Sequence, residues 1–522
     1  MPEDSNVLYL KLAEALIQDY RNLISETRRK FAPIKDEGAG AVVGILWNLM
    51  NSNIEEVRVL QTTILLLTAS SLVKDTLLAK AFTLCLRLHA SKTPSTVNTA
   101  AAAVRQCASA VFDRVMKEEL SSEDKMSGIK SDCLLRSEDV APVNVMNLSS
   151  ASKDAYRLFQ DICALLSDEP LTWLTGITEF SRALGLELIE SLVLHYSCLF
   201  RQCIAFAHLL KTNLCPLVIK LFSPSLKLRT TPTGTSPGPY DPTTSGPNSM
   251  GSGGSHTSIL SGHISSASTT VSVSEKVTFP ILVRLKRLIT VIVEQYFHLL
   301  NTECEIYLSL LIRFLDVDKV AWERALALEV LYKFAMQPEL IRYVCISYDM
   351  RPHSTKIFQE WINTLSHYVQ LVLASPSAGD ELTKDSNPQS AAAHQPGPNQ
   401  SLLYYKGVFF PIVQPKSLLL DLLDRGEPPV LADGYCLSVA VACVTRIVQS
   451  LEIIAHEANS ARTATADGNP DKQPTPEDKT DAEPKPSEVG EQLVALSWCG
   501  CLSALALLLE ARYVGNVLYF VC

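Results

Sequence analysis

Apolar residues recur along this chain at helical rather than strand spacing. From Leu285 the positions Leu288, Ile289, Ile292, Tyr296 and Leu299 fall at offsets 3, 4, 7, 11 and 14, which lays one buried stripe along a helix. Arg284, Lys286, Arg287 and Glu294 take most of the other positions, so Leu282–Leu288 reads as a solvated edge beside that stripe. Start signals agree. Asn53 precedes Glu56 and Thr302 precedes Glu305, each resembling a capping box in which side chains satisfy free backbone N–H groups. Pro170 and Pro338 suit first-turn positions, where a missing N–H costs little. The periodicity predicts about fifteen helices of roughly 12 to 22 residues, and no Val/Ile/Tyr alternation points to a sheet.

The fold class expected is therefore all-α. Helices with wide apolar faces in successive pairs suit a HEAT- or armadillo-like solenoid, with disordered linkers between its blocks and a compact bundle as the alternative. Three stretches lack helical periodicity: 223–278, rich in Gly, Ser, Thr and Pro; 376–400; and 461–489, acidic and Pro-bearing. Such compositions bury too little apolar surface to offset the entropy of ordering the chain. The blocks they separate are 1–125, 150–222, 279–375, a helical segment 401–460 and a helical segment 490–522.

Composition narrows the class. At 522 residues the chain exceeds the roughly 250 to 300 residues over which a single core grows. Apolar residues make up 47% and charged residues 19%, enough for a large core. A formal charge of -9 gives no general electrostatic reason to bind nucleic acid. The fourteen cysteines lie scattered in apolar helical stretches, as at Cys85, Cys107, Cys163, Cys304 and Cys443, and read as reduced, buried thiols of a cytoplasmic protein. The N-terminus lacks the cationic region and apolar core of an export signal. Val59–Val73 is uncharged over 15 residues and Leu493–Leu509 over 17. Both fall short of the roughly 20 residues a bilayer requires and are expected as buried helices.

No signature of bond-making chemistry emerges. HExxH, paired CxxC and GxxxxGK[ST] strings are absent from the sequence, so no catalytic, cofactor or metal-binding residue is expected. Cys499 and Cys501 are read as core thiols, and Gly251, Gly253 and Gly254 as linker. His195, His208 and His367 lie on or beside apolar faces, where a structural role is the commoner one. The run Arg28 to Lys30 ends a helix, where cations complement the helix dipole.

Several strings go further than helical class. Ala81–His89 (AFTLCLRLH), Asn98–Gln106 (NTAAAAVRQ) and Val111–Val115 (VFDRV) resemble the dimerisation and cyclophilin-binding (DCB) region of the large Arf exchange factors. Lys153–Asp161 (KDAYRLFQD), Gly185–Ser191 (GLELIES) and Cys215–Pro224 (CPLVIKLFSP) extend the likeness. Glu303–Asp316 (ECEIYLSLLIRFLD), Ser347–Met350 (SYDM) and His353–Lys356 (HSTK) resemble the homology-upstream (HUS) region. The combination is most similar to the monensin-sensitivity (Mon-two) branch, which lacks the catalytic exchange domain.

That resemblance implies a non-catalytic scaffold or regulator of vesicular transport, peripheral on Golgi and endosomal membranes. Its implied partners are a Dopey-type protein and an Arf-like small GTPase, with self-association also open. The alternative is the regulatory part of an exchange factor without its catalytic segment. Only Tyr348 and Asp349 remain of the HUS box, and the resemblance implies a protein-interaction role for them. A Tyr-Asp pair after a helix also fixes a turn by local hydrogen bonding, so that second role stays open. The family carries on the order of 80 more residues, two helical pairs at HEAT length, between Lys35 and Gly38. It also continues beyond the last helical segment, so either a truncated isoform or an imperfect gene model is expected.

Overall fold

A computed structural model describes residues 11, 15, 37–69, 73–123, 148–177, 179–226, 278–316, 318–374, 402–405, 408–411, 419–431, 434–466 and 484–510. The arrangement is all-α and solenoid-like. Helices α1 (Glu37–Asn51), α2 (Glu56–Ala69), α3 (Asp75–His89) and α4 (Pro94–Glu123) form the first layers, with α4 packed along both α2 and α3. Arg114 of α4 donates to Leu67 O at 2.6 Å and Val73 O at 2.7 Å, so one guanidinium satisfies carbonyls on both sides of the α2–α3 connection. Helices α5 (Ser150–Ser167) and α6 (Arg182–His195) follow, each started by a serine whose hydroxyl accepts a backbone N–H: Ser149 from Ser152 and Ser181 from Leu184.

Two short helices, α7 (Ser197–Gln202) and α8 (Ile204–Leu209), lead through a π-helical turn, Leu210–Leu214, into α9 (Cys215–Leu226). Their Phe200 and Phe206 meet rings of α4 and α5 and knit this part together. Phe112, Phe159, Phe200 and Phe206 lie 5.1 to 6.0 Å apart in tilted, stacked and edge-to-face pairs, and Tyr296 of the next helix meets Phe200 at 6.5 Å. Helix α10 (Phe279–Tyr296) also packs along α6 and joins the second half of the array to the first.

The second half comprises α10, α11 (Asn301–Arg313), α12 (Ala321–Ala335), α13 (Pro338–Val344), a π-helical turn Cys345–Asp349, and α14 (Ile357–Ala374). After these come a 3₁₀ turn at Leu419–Asp421, α15 (Tyr435–Ala466) and α16 (Pro486–Glu510). Helix α15 lies against α12, and α16 lies against both α14 and α15. Gly500 makes the α14–α16 approach close, because a Cβ there would fall 2.6 Å from Ile362 Cγ2.

Several expectations need correction. The segment 401–460 is not helical throughout: Leu402–Tyr405 and Val408–Pro411 form an antiparallel hairpin, with Leu403 opposite Phe410 and Tyr404 opposite Phe409. Four-residue runs of aromatic and aliphatic residues favour a strand without any polar alternation to announce it. Helix α15 runs to Ala466 and α16 begins at Pro486, which trims the expected acidic linker at both ends. Helix α9 likewise runs to Leu226, into the first expected linker; residues 227–277, 376–400 and 467–483, the run Arg28 to Lys30 and the glycines at 251–254 lie outside the described residues.

Neither capping box forms. Asn53 takes φ 54°, and Glu56 accepts from Ser91 Oγ at 3.0 Å instead. Helix α11 starts at Asn301, one residue before Thr302, and Glu305 accepts from the Thr355 hydroxyl. Pro338 opens α13 as expected, but Pro170 stands in a non-helical stretch. That stretch is organised by the fully buried Asp161, whose carboxylate accepts from the backbone N–H of Thr172, Trp173 and Leu174 and from the Thr172 hydroxyl.

Candidate interaction surfaces

The two residues singled out by sequence, Tyr348 and Asp349, sit together in the π-helical turn after α13. A π turn holds one residue more than an α turn, and such turns often mark functional positions. Here both side chains face inward, with Tyr348 2% and Asp349 3% exposed. The Tyr348 hydroxyl donates to Asn301 O at 2.6 Å, which ties the turn to the start of α11. Asp349 accepts from Phe358 N–H at 3.0 Å and Gln359 N–H at 3.1 Å, so its carboxylate caps the first turn of α14. Lys356 closes the corner by donating to Asp349 O at 2.6 Å and Arg351 O at 3.0 Å. Burial pushes the Asp349 carboxyl above its ordinary value against the pull of these hydrogen bonds. The surface of the corner consists of Arg351, Pro352, His353, Thr355 and Lys356, all exposed.

A second polar knot was not foreseen. Within Leu282–Leu288 the expected solvated edge is an interior seam: Lys286 is fully buried and Arg284 is 9% exposed. Lys286 lies four residues after Leu282 and three before Ile289, which puts it on the core stripe, and that spacing was the available signal. Its ammonium donates to Glu323 O at 2.6 Å and lies 4.2 Å from the Phe314 ring centre. Desolvation pulls its pKa down to about 7, despite the opposing fields of Glu323 and Glu329.

Glu329, also fully buried, sits in a run of α12, Ala325–Tyr332, in which every residue is buried. A lone acid in an all-round apolar helix signals a partner elsewhere. Its carboxylate accepts from Leu419 N–H at 2.9 Å, Leu420 N–H at 3.0 Å and the Tyr435 hydroxyl at 2.6 Å. Desolvation raises its carboxyl above the ordinary value. Arg287 completes the knot, donating to Glu190 of α6 at 2.8 Å, to Leu420 O at 3.2 Å and to Asp421 at 3.3 Å.

A third surface is apolar. Val494, Trp498 and Leu502 of α16 are 47%, 55% and 50% exposed at four-residue spacing, and Cys499 beside them is exposed rather than a core thiol; Cys501 is buried as expected. The charged neighbours that would mark a solvated face are missing from Leu493–Leu509, so the pattern carries no cue to which side stays open. Among the described residues, three helical stretches are long and apolar enough to cross a membrane by length and composition: Ile204–Phe222, Tyr435–Ser460 and Pro486–Ala506. Protein covers 50%, 67% and 39% of their windows respectively. The last exceeds the length expected for Leu493–Leu509, and the other two were not foreseen.

Among the described residues, the histidines and thiols offer no reactive constellation. His195 Nδ1 lies 2.7 Å from Ser191 O, His208 lies beside Thr212, and His367 is exposed. Burial holds Cys163, Cys215, Cys436 and Cys443 above the usual thiol value, as inert thiols. Among the described residues no group of three or more His, Cys, Asp or Glu is placed to hold a metal.

An all-helical array with structural carboxylates, and with its exposed features spread along the surface, defines a class of interaction protein. The family profiles make that class specific. The Mon2/Sec7/BIG1-like dimerisation and cyclophilin-binding (DCB) domain matches residues 34–119, and the Mon2/Sec7/BIG1-like HUS domain matches 151–232 and 258–357. The chain belongs to this family and carries those two domains. The HUS match begins at residue 151, so 150–222 shares a domain with the helices after the linker.

Among curated proteins, the chain is 36% identical over 517 residues to Protein MON2 homolog of Xenopus laevis, covering 92% of this chain and 27% of that protein. It is 36% identical over 511 residues to Protein MON2 homolog of Homo sapiens, covering 92% and 28%. For Protein MON2 homolog of Drosophila melanogaster the figures are 34% over 486 residues, 91% and 26%. The chain thus spans 26 to 28% of the length of these relatives. No solved structure matches.

Proposed function

We propose that this chain is a non-catalytic scaffold or regulator of vesicular transport between Golgi and endosomes. It would act by presenting a helical array to trafficking partners while resting peripherally on membranes. The observation that supports this most is the likeness to MON2 proteins over 92% of the chain, together with matches to a DCB and a HUS domain. The buried acids support it too: Asp161, Glu329 and Asp349 each spend their oxygens on backbone N–H groups, the work of a structural rather than a reactive carboxylate. A Dopey-type protein and an Arf-like small GTPase are the partners proposed. Tyr348 and Asp349 are proposed as positioning residues, which hold Arg351–Lys356 in the shape a partner meets.

Affinity co-purification of the tagged chain from cytosol and Golgi-enriched membranes tests this reading. Recovery of a Dopey-type protein or a GTP-loaded Arf-like GTPase is the expected result, and loss of both from a folded chain overturns it. A charge change on the exposed corner, Arg351→Glu, is expected to lower that recovery without altering the helical circular dichroism.

A further inference from the structure

The segment Leu419–Asp421 is held much as a peptide ligand is held. It lies across α10 and α12, far from both in sequence, and its two leucines are buried to 4% and 0% exposure. Three of its backbone groups are met by side chains from elsewhere in the chain. Glu329 takes the N–H of Leu419 and of Leu420 on separate oxygens, while Arg287 donates to Leu420 O and to the Asp421 carboxylate. Tyr435 braces Glu329 from the far side of the segment, and Glu190 braces Arg287 from α6. Recognition of this kind reads three things: two adjacent leucines, a free pair of N–H groups, and an acid one step later.

Beyond these contacts Leu422 and Leu423 are half-buried against the core, while Asp421, Asp424, Arg425, Gly426 and Glu427 are exposed and Val430 is 95% exposed. The geometry points to a peptide-recognition notch between α10 and α12, occupied in cis by Leu419–Asp421 and open to a partner's leucine-leucine-acid segment when that strap lifts. The strap then acts as a competitor built into the chain. Its tether gives it a high effective concentration, so a partner must supply either a tighter segment or a second contact. Because Arg287 also grips Glu190, exchange of the strap would be felt at the α6–α10 junction.

The test needs only the purified full chain and a synthetic peptide with the sequence of residues 416–424, KSLLLDLLD, so it stands apart from the trafficking reading. In the unaltered chain, millimolar peptide is expected to accelerate amide exchange at 419–421 while α10 and α12 stay protected. A peptide with Ser at the positions of Leu419 and Leu420 is expected to have no effect. In a strap-weakened chain, L419S/L420S, the peptide is expected to bind at least tenfold more tightly than to the unaltered chain. Lys in place of the acid at the position of Asp421 is expected to weaken that binding at least fivefold.

Strap amides that exchange together with those of α12, at a rate the peptide does not change, would overturn the proposal and make the strap a permanent part of the core. This arm remains decisive even where the L419S/L420S chain fails to fold. Acceleration that follows protein concentration rather than peptide, with a dimer mass by light scattering, would also overturn it and assign the notch to a second copy's strap.

Discussion

The corner at Asp349 and the notch at Glu329 solve the same problem with opposite reach. In each, a buried carboxylate accepts two backbone N–H groups, one on each oxygen, and burial raises its pKa. Asp349 finds its donors 9 and 10 residues along the chain, whereas Glu329 finds them 90 and 91 residues away. A local cap can form as soon as its own turn forms. A distant clamp forms only after α10, α12 and the strap have converged, so it reports on the assembled fold and carries more of its cooperativity.

The sharpest way to break the comparison is to remove Glu329. Glu329→Leu leaves two buried N–H groups and a tyrosine hydroxyl without their acceptor and removes the acid field at Lys286, whose ammonium keeps Glu323 O. It is expected to cost about 3 to 5 kcal/mol in urea unfolding, with freed exchange at 419 and 420 and an unchanged Asp349 corner.

Next comes a rise of stability with pH, which Lys286 should give the notch and which the Asp349 corner should lack. Lys286 titrates near 7 in the folded chain against 10.5 in its ordinary state. Between these values the unfolded chain holds the proton and the folded chain does not, so stability rises with pH. The rise should approach about 1.4 kcal/mol per pH unit at most between pH 7 and 8, and Lys286→Met should abolish it. Above that range the buried thiols act with the opposite sign, because the folded chain keeps protons that the unfolded chain loses. Glu329 and Asp349 also act oppositely at lower pH: their raised folded values mean stability falls as pH rises through them.

A smaller effect is expected at the corner. Asp349→Asn turns an amide donor toward one of two backbone donors and should cost about 1 to 3 kcal/mol. Its faster exchange should stay within 350–360, far from the strap. The smallest effect tests whether reach alone matters. Arg105 and Glu187 pair at 2.7 Å across 82 residues, but their side chains are 45% and 32% exposed. Arg105→Ala should shift the urea midpoint by no more than about 1 kcal/mol, the scale of an exposed pair. A larger shift would mean that sequence separation, rather than burial, sets the cost.

Much of the fold was legible in the residue pattern. The stripe from Leu285 to Tyr296 became α10, and Pro338 opened a helix, because helical spacing and proline's missing N–H act on the chain locally. The strings at 81–115, 153–161 and 303–316 pointed to the family that the DCB and HUS matches then established. The hairpin at 402–411 was not legible, because its strands are apolar on consecutive positions. The capping boxes failed because Glu56 and Glu305 were claimed by Ser91 and Thr355, partners that no local string reveals.

The candidate sites divide along the same line. Tyr348 and Asp349 were found by sequence, yet their inward orientation depends on a π turn that only packing against α11 and α14 selects. Lys286 and Glu329 carried weak signals, a cation on an apolar stripe and an acid among buried neighbours, but nothing in either string names the strap. By itself the sequence determined the all-α class and stripes such as Leu285–Tyr296, since periodicity and propensity act within one or two turns. Tertiary structure alone decided where each buried charge would find its partner, because desolvation makes such groups seek hydrogen bonds at any separation along the chain.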